Sequence, residues 1–181
     1  MVIYLSSLGC VRNQVDSEVM LGRLAEAGHV ISDTPENAEV IIVNTCSFIE
    51  SAAEEAVSEI LTLSAYKTDG RCRRLIVAGC LPQRYGEDTA ASLPEVDVFL
   101  GTGAYDLIAE AVESEPAYVA GACRLPEPAQ MGLQFWNTPR IPDTWPVAYI
   151  KIMEGCGRQC TYCIIPKLRG PLRSRGPDYI V

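Results

Sequence analysis

Cys156, Cys160 and Cys163 form a C-x3-C-x2-C array within G-C-G-R-Q-C-T-Y-C, residues 155–163. A thiolate triplet this tight is poorly served by disulfides. It is also too short for the paired C-x2-C knuckles of a structural zinc site. Three thiolates on a short, turn-rich loop suit three corners of a [4Fe–4S] cube. The fourth iron is then open, which implies chemistry at that iron rather than simple electron transfer. Arg158, Lys167, Arg169, Arg173 and Arg175 lie around the loop in sequence. A three-thiolate cluster site is anionic, so nearby cations are expected to stabilise it. Arg169, beside Gly170, is the least expected to be a plain surface charge.

A second set is dispersed. Cys10, Cys46 and Cys80 each follow an apolar stretch with strand character, at 2–5, 40–43 and 75–78. Their spacings of 36 and 34 residues are each about one β-α-β unit. In an open parallel sheet the carboxyl ends of the strands share one edge, where ligands bind. These three thiols are therefore expected to converge on a second cluster site. Asn44 and Thr45 beside them are expected to donate hydrogen bonds to cluster sulfurs. Cys72 and Cys123 do not share the pattern and are read as non-ligands. His29, the single histidine, has no partner in the sequence pattern and is read as structural.

The elements that must position these residues read as α/β. Strand character at 2–5, 29–32, 40–43, 75–78 and 96–100 alternates with helical stretches. Residues 40–43, V-I-I-V, are apolar on both faces, as a buried parallel strand should be. The first helix is expected to be capped by Asn13 with Asp16 at N3. Its apolar side is Val19, Met20, Leu24 and Ala27, and Gly28 follows its end. A second capping box is read at 47–50. The second helix is expected to turn Ile49, Ala53, Ala56, Val57, Ile60 and Leu61 inward. Gly101-x-Gly103 reads as a turn rather than a phosphate loop. The order β-α-β-β-α-β-α-β-α predicts an open, mostly parallel sheet with helices on both faces. Residues 114–146 hold six of the twelve prolines and read as an extended linker. Residues 147–153 read as the strand that leads into the Cys loop. A domain opening at 147 and ending at 181 cannot bury a core alone, so the chain reads as an N-terminal piece.

Composition narrows the class. An apolar fraction of 48% argues against disorder. The longest aliphatic run, 40–43, is far short of a membrane span. No basic segment precedes the N-terminal apolar stretch, so it reads as a strand rather than a signal peptide. Eight cysteines without an export signal point to metal or redox work in a reducing compartment, the cytoplasm. Residues 1–145 carry 9 Lys+Arg against 21 Asp+Glu, whereas 146–181 carry 6 against 2. An acidic body disfavours unspecific nucleic-acid binding and leaves room for a local basic groove.

Cys156-Gly-Arg-Gln-Cys160-Thr-Tyr-Cys163 resembles the radical S-adenosylmethionine (SAM) signature. Ser7-Leu8-Gly9-Cys10, Asn13, Asp16-Ser17-Glu18, Val43-Asn44-Thr45-Cys46 and Ala78-Gly79-Cys80 look like the N-terminal domain of the methylthiotransferases. The resemblance covers essentially the whole chain. The flanks, S-F-I-E-S-A after Cys46 and I-I-P after Cys163, are most similar to the branch acting on an aspartate of ribosomal protein S12. The resemblance implies an N-terminal methylthiotransferase domain at 1–113, a linker at 114–146, and the first strand and cluster loop of a radical SAM β/α barrel at 147–181. It implies that Cys156, Cys160 and Cys163 hold one [4Fe–4S] cluster, which chelates SAM, with Tyr162 near the adenine. Cys10, Cys46 and Cys80 would hold an auxiliary [4Fe–4S] cluster linked to sulfur delivery. It implies a methylthio group added at the β-carbon of aspartate, with sulfur- and electron-donor proteins as further partners and no membrane. The alternatives are a tRNA methylthiotransferase acting beside the anticodon, a non-catalytic iron–sulfur protein, and zinc binding.

Overall fold

The computed structural model describes residues 1–114, 121–142 and 146–180. The chain opens with β1 (Val2–Ser7), α1 (Val11–Glu26), β2 (Val30–Ser32), β3 (Val40–Thr45), α2 (Glu50–Ser64) and α3 (Tyr66–Asp69). It continues with β4 (Arg74–Gly79), α4 (Cys80–Tyr85), α5 (Glu87–Ser92), β5 (Val98–Gly101) and α6 (Ile108–Glu113). Then come β6 (Ala122–Arg124), β7 (Met153–Glu154), α7 (Ile165–Arg169) and β8 (Arg173–Ser174). Strands β1 to β6 form one sheet in the order β2-β1-β3-β4-β5-β6, and every pairing in it is parallel. This is the open α/β sheet that the alternating pattern predicts.

Side-chain alternation divides the core into two layers. Ile3, Val40, Ile42, Ile76, Val98 and Leu100 face one layer, against Val15, Val19, Met20 and Leu24 of α1 and Ile108 of α6. Ile41, Val43, Leu75, Val77 and Phe99 face the other, against Ala56, Ile60 and Leu63 of α2. Every residue of β3 is buried, which is why its sequence shows no polar alternation. The register sets Thr45 opposite Gly79 and Gly79 opposite Gly101, so the carboxyl ends of the strands finish level.

The helix starts differ from the sequence expectation. Helix α1 begins at Val11 with Cys10 as its N-cap, and α2 begins at Glu50 with Ile49 as its N-cap; neither makes a side-chain capping bond. The Asn13 amide donates instead to the carbonyls of Leu8 (3.1 Å) and Thr45 (2.7 Å). Ser47 is fully buried in the turn leaving β3. Tertiary contacts take the Asn13 side chain away from capping, whereas the buried Ser47 hydroxyl makes no hydrogen bond. The expected inward faces hold in part: Ala27, Ile49 and Leu61 are exposed.

The proline-rich stretch also differs. Residues 115–120 and 143–145 of it lie outside the described residues. The remainder adds β6 to the sheet edge beside β5. Leu133–Asn137 is a 3-10 turn that buries Phe135 and Trp136 in the α1 layer, with Phe135 stacked on Tyr105 at 6.1 Å. Pro139 crosses α1 at Gly22, where a β-carbon would lie 1.8 Å from the Pro139 carbonyl oxygen. Prolines suppress regular pairing here without preventing apolar side chains from docking.

Residues 147–152 form no strand, although their composition suits one. Only Met153–Glu154 pairs, antiparallel with Arg173–Ser174. Among the described residues no strand pairs with 147–152, although the Ile152 carbonyl accepts from Arg175 N–H (3.0 Å), and Val147, Ile150 and Ile152 are exposed. Among the described residues no helix is long and apolar enough to cross a membrane.

Burial of the 133–137 turn makes a direct prediction. Phe135→Ala should cost about 3–5 kcal/mol in equilibrium unfolding. A free linker would give a change near zero.

Candidate functional site

The first three cysteines follow strands at the level carboxyl edge. Cys10 caps α1 and is exposed, Cys46 follows β3 and is buried, and Cys80 opens α4 and is buried. Their approach depends on glycine. Gly9 (φ +91°) and Gly79 (φ +101°) each precede a cysteine in the left-handed region. A β-carbon on Gly9 would lie 2.3 Å from Cys46 Cβ and 3.0 Å from its Sγ. One on Gly79 would lie 2.6 Å from both Asn44 Oδ1 and the Thr45 carbonyl oxygen. Only bare backbone therefore lets the Cys10 and Cys80 turns close against the end of β3. The Cys80 thiol is pushed up by burial and lowered by Arg169, with Cys46 and Cys10 acting on it in the raising direction.

Asn44 and Thr45 do not serve as sulfur donors. The Asn44 amide donates both its hydrogens, to the Asn13 carbonyl (3.0 Å) and to Ser17 Oγ (2.9 Å). The Thr45 hydroxyl donates its single hydrogen to the Ala78 carbonyl (2.6 Å) and accepts from Leu81 N–H (3.2 Å). These side chains lock the loops that carry the thiols to one another.

The second triplet lies on the loop between β7 and α7. Cys156 and Cys163 are partly exposed and Cys160 is exposed. Gly155 (φ +79°) repeats the Gly-Cys device, since a β-carbon there would lie 2.1 Å from the Pro171 carbonyl oxygen. Cys156 N–H donates to the Gly170 carbonyl (3.1 Å), which closes the loop on α7. Tyr162 is 90% exposed. All eight cysteines are free thiols. Among the described residues no group of three or more His, Cys, Asp or Glu side chains is arranged to hold a metal ion. A four-iron cube spaces its thiolates more widely than one ion does. Three free thiols in each set suit it in number and softness.

The two cysteine sites are joined by a buried ionic network that the sequence pattern did not reveal. Asp16, fully buried on α1, receives Lys151 Nζ at Oδ1 (2.5 Å), Arg169 Nη1 at Oδ2 (2.6 Å) and Trp136 Nε1 at Oδ1 (2.8 Å). Lys151 also pairs with Glu154 (2.7 Å) and lies over the Trp136 ring, 4.5 Å from its centroid. Glu154 accepts from Gly155 N–H (3.1 Å). Arg169 Nη2 donates to Asn13 Oδ1 and faces Cys80 Sγ at 3.8 Å. Burial raises the Asp16 pKa, but Lys151 and Arg169 outweigh it and hold the carboxyl below its usual range. Two faint sequence signals existed: a lysine inside the apolar run 147–153, and Glu154 directly before the Gly-Cys turn.

The cations around the loop are mostly fasteners. Arg173 donates to the carbonyls of Pro128 (2.9 Å) and Met131 (2.6 Å). Arg175 donates to the Lys151 carbonyl and Asn137 Oδ1, both at 2.8 Å. Arg158 and Lys167 stay exposed. The thiols read as non-ligands point elsewhere: Cys72 Sγ faces the Arg74 carbonyl (3.2 Å), and Cys123 Sγ the Gly121 carbonyl (3.5 Å).

The chain thus carries an open parallel α/β sheet with cysteines just beyond the carboxyl ends of three strands. The profile of the uncharacterized protein family UPF0004 matches residues 2–101, and the chain belongs to that family. Along its whole length the chain is also similar to proteins named ribosomal protein uS12 methylthiotransferase RimO. It is 53% identical to the one from Desulfosudis oleivorans over 181 residues, covering 100% of this chain and 41% of that protein. Identity is 52% with that of Anaeromyxobacter sp. strain K (99% and 37% covered) and 46% with that of Heliobacterium modesticaldum (100% and 39%). The chain thus spans about two fifths of the length of these relatives.

Asp16→Asn should destabilise the chain by about 3–5 kcal/mol at neutral pH, because two buried cations lose their shared carboxylate. The folded-state pKa is depressed, so this stabilisation is present above the unfolded value near 3.8 and is lost as pH falls through the folded value. Denaturant unfolding of both proteins from pH 7 to pH 3 should show the difference shrinking at the acid end. Gly79→Ala should cost at least about 2 kcal/mol in the same assay, from its positive φ and the collision with β3.

Proposed function

We propose that the protein to which this chain belongs is a radical SAM methylthiotransferase that adds a methylthio group to the β-carbon of an aspartate in ribosomal protein S12. The carrying observation is the pairing of two cysteine triplets, with positive-φ glycines before Cys10, Cys80 and Cys156, across one buried ionic network. Similarity over the full chain to proteins named for the uS12 reaction supports the choice of substrate. The acidic body agrees with a basic protein partner better than with broad RNA binding.

In this reading Cys156, Cys160 and Cys163 ligate the cluster that binds SAM, and Cys10, Cys46 and Cys80 ligate the auxiliary cluster. Residues 1–113 form the auxiliary-cluster domain, 114–146 connect it, and 147–181 open the barrel. The burial of Phe135 and Trp136 makes that connection a packed one. The target C–H bond is unactivated, and the bound cofactors supply the radical chemistry and sulfur that it needs. The chain's own residues set positions. Gly155 closes the Cys156 turn against Pro171, and the network around Asp16 fixes that loop on the sheet. Burial of Cys46 and Cys80 keeps water from two of the three auxiliary ligands. Exposed Tyr162, beside Cys163, offers a flat ring for adenine. Sulfur- and electron-donor proteins complete the partners, and the cytoplasm is the compartment that keeps such thiols reduced.

Full-length protein, reconstituted anaerobically with iron and sulfide, should convert the S12 aspartate to its methylthio form. Mass spectrometry of S12 and of hypomodified tRNA, run in parallel, checks this. Modification of tRNA alone overturns the substrate assignment. A colourless protein loaded with zinc overturns the chemistry.

A further inference from the structure

Arg169 lies six residues beyond Cys163, yet its head group is buried at the other cysteine site. The guanidinium divides its donors. Nη1 pairs with Asp16 Oδ2 at 2.6 Å and approaches Glu154 Oε2 at 3.6 Å. Nη2 donates to Asn13 Oδ1 and faces Cys80 Sγ at 3.8 Å, within reach of a sulfur acceptor. The Asp16 ion pair accounts for Nη1 and leaves the sulfur contact unexplained. An anchor to the sheet needs no thiol, and arginine is the one cation whose rigid fork serves a carboxylate and a second acceptor together.

With Arg169 only 3% exposed and Cys80 only 5% exposed, little water lies between them to screen the charge. A charge-assisted hydrogen bond to a cluster thiolate withdraws electron density, which favours the reduced, more negative state and raises the potential.

We infer that Arg169 sets the reduction potential of the iron–sulfur cluster held by Cys10, Cys46 and Cys80, by donating from Nη2 to Cys80 Sγ. It acts through a ligand and is a positioning and tuning residue, not a catalytic one. Because it ends α7, the helix that follows the loop of the other triplet, docking of that loop and helix is what brings the auxiliary cluster to its working potential. This inference rests on the cluster assignment proposed above.

The test uses full-length protein with Cys156, Cys160 and Cys163 replaced by Ala, so that only the auxiliary site can be loaded. Redox titration followed by electron paramagnetic resonance reads its potential. Arg169→Gln should lower the potential by the equivalent of about tenfold in the reduction equilibrium, ~59 mV for one electron. Arg169→Lys, which keeps the charge and loses the fork, should give a smaller drop, and it carries the test if the Gln variant loses its cluster. Lys151→Met removes the same charge from Asp16 without a sulfur contact and should shift the potential less than Arg169→Gln. An unchanged potential in both Arg169 variants, or an equal shift in Lys151→Met, overturns the inference. If the Cys-loop triple variant binds no cluster at all, the cluster assignment itself fails, a separate outcome.

Discussion

A carboxylate with no exposure to water is costly unless its charge is met, and Asp16 is met from three directions. Lys151 and Arg169 arrive from either side of the cysteine loop, and Trp136 from the turn that precedes it. Remove Asp16 and three buried donors lose the acceptor they share. This shared dependence makes the seam between sheet and loop specific. Apolar contact alone would allow the loop to slide over α1, whereas an ion network with fixed forks has a single satisfactory register.

The same region explains why α1 is unusual. Asn13, Asp16, Ser17 and Glu18 are all buried on a helix whose apolar stripe already faces the sheet. Their side chains serve the strand ends and the loop: Asn13 to Leu8, Thr45 and Arg169, Ser17 to Ser7 and Asn44, Glu18 to Arg140. Helix α1 thus has an apolar side that holds the layer together and a polar side that holds the site together. The three Gly-Cys turns are the backbone counterpart. Each uses a positive φ to bring a thiol where a β-carbon would have kept two chain segments apart.

Part of this was legible one residue at a time. The parallel sheet follows from period and composition, because β3 and β4 are buried on both faces and say so in their sequences. The edge position of Cys10, Cys46 and Cys80 follows from the rule that parallel strands end together. The polar residues of the helix starts depart from their local pattern. Asn13 and Asp16 have the types and spacing of a helix cap, and tertiary contacts outbid the cap for both; Ser47 is buried without a hydrogen bond and caps nothing. The proline-rich stretch departs from its local pattern for a related reason: prolines report that backbone pairing is poor, and are silent about where Phe135 and Trp136 go.

The sequence by itself determined the layers, the strand edge and the two cysteine triplets, since these depend on periodicity and on spacings that every parallel α/β unit shares. Tertiary structure alone decided that Asp16 meets Lys151 and Arg169, 135 and 153 residues away along the chain. It also decided that Arg169 reaches Cys80 and that residues 147–152 form no strand. The physical reason is the same in each case. Burying a charge or satisfying a strand depends on partners remote in sequence, and no local pattern records whether those partners will be there.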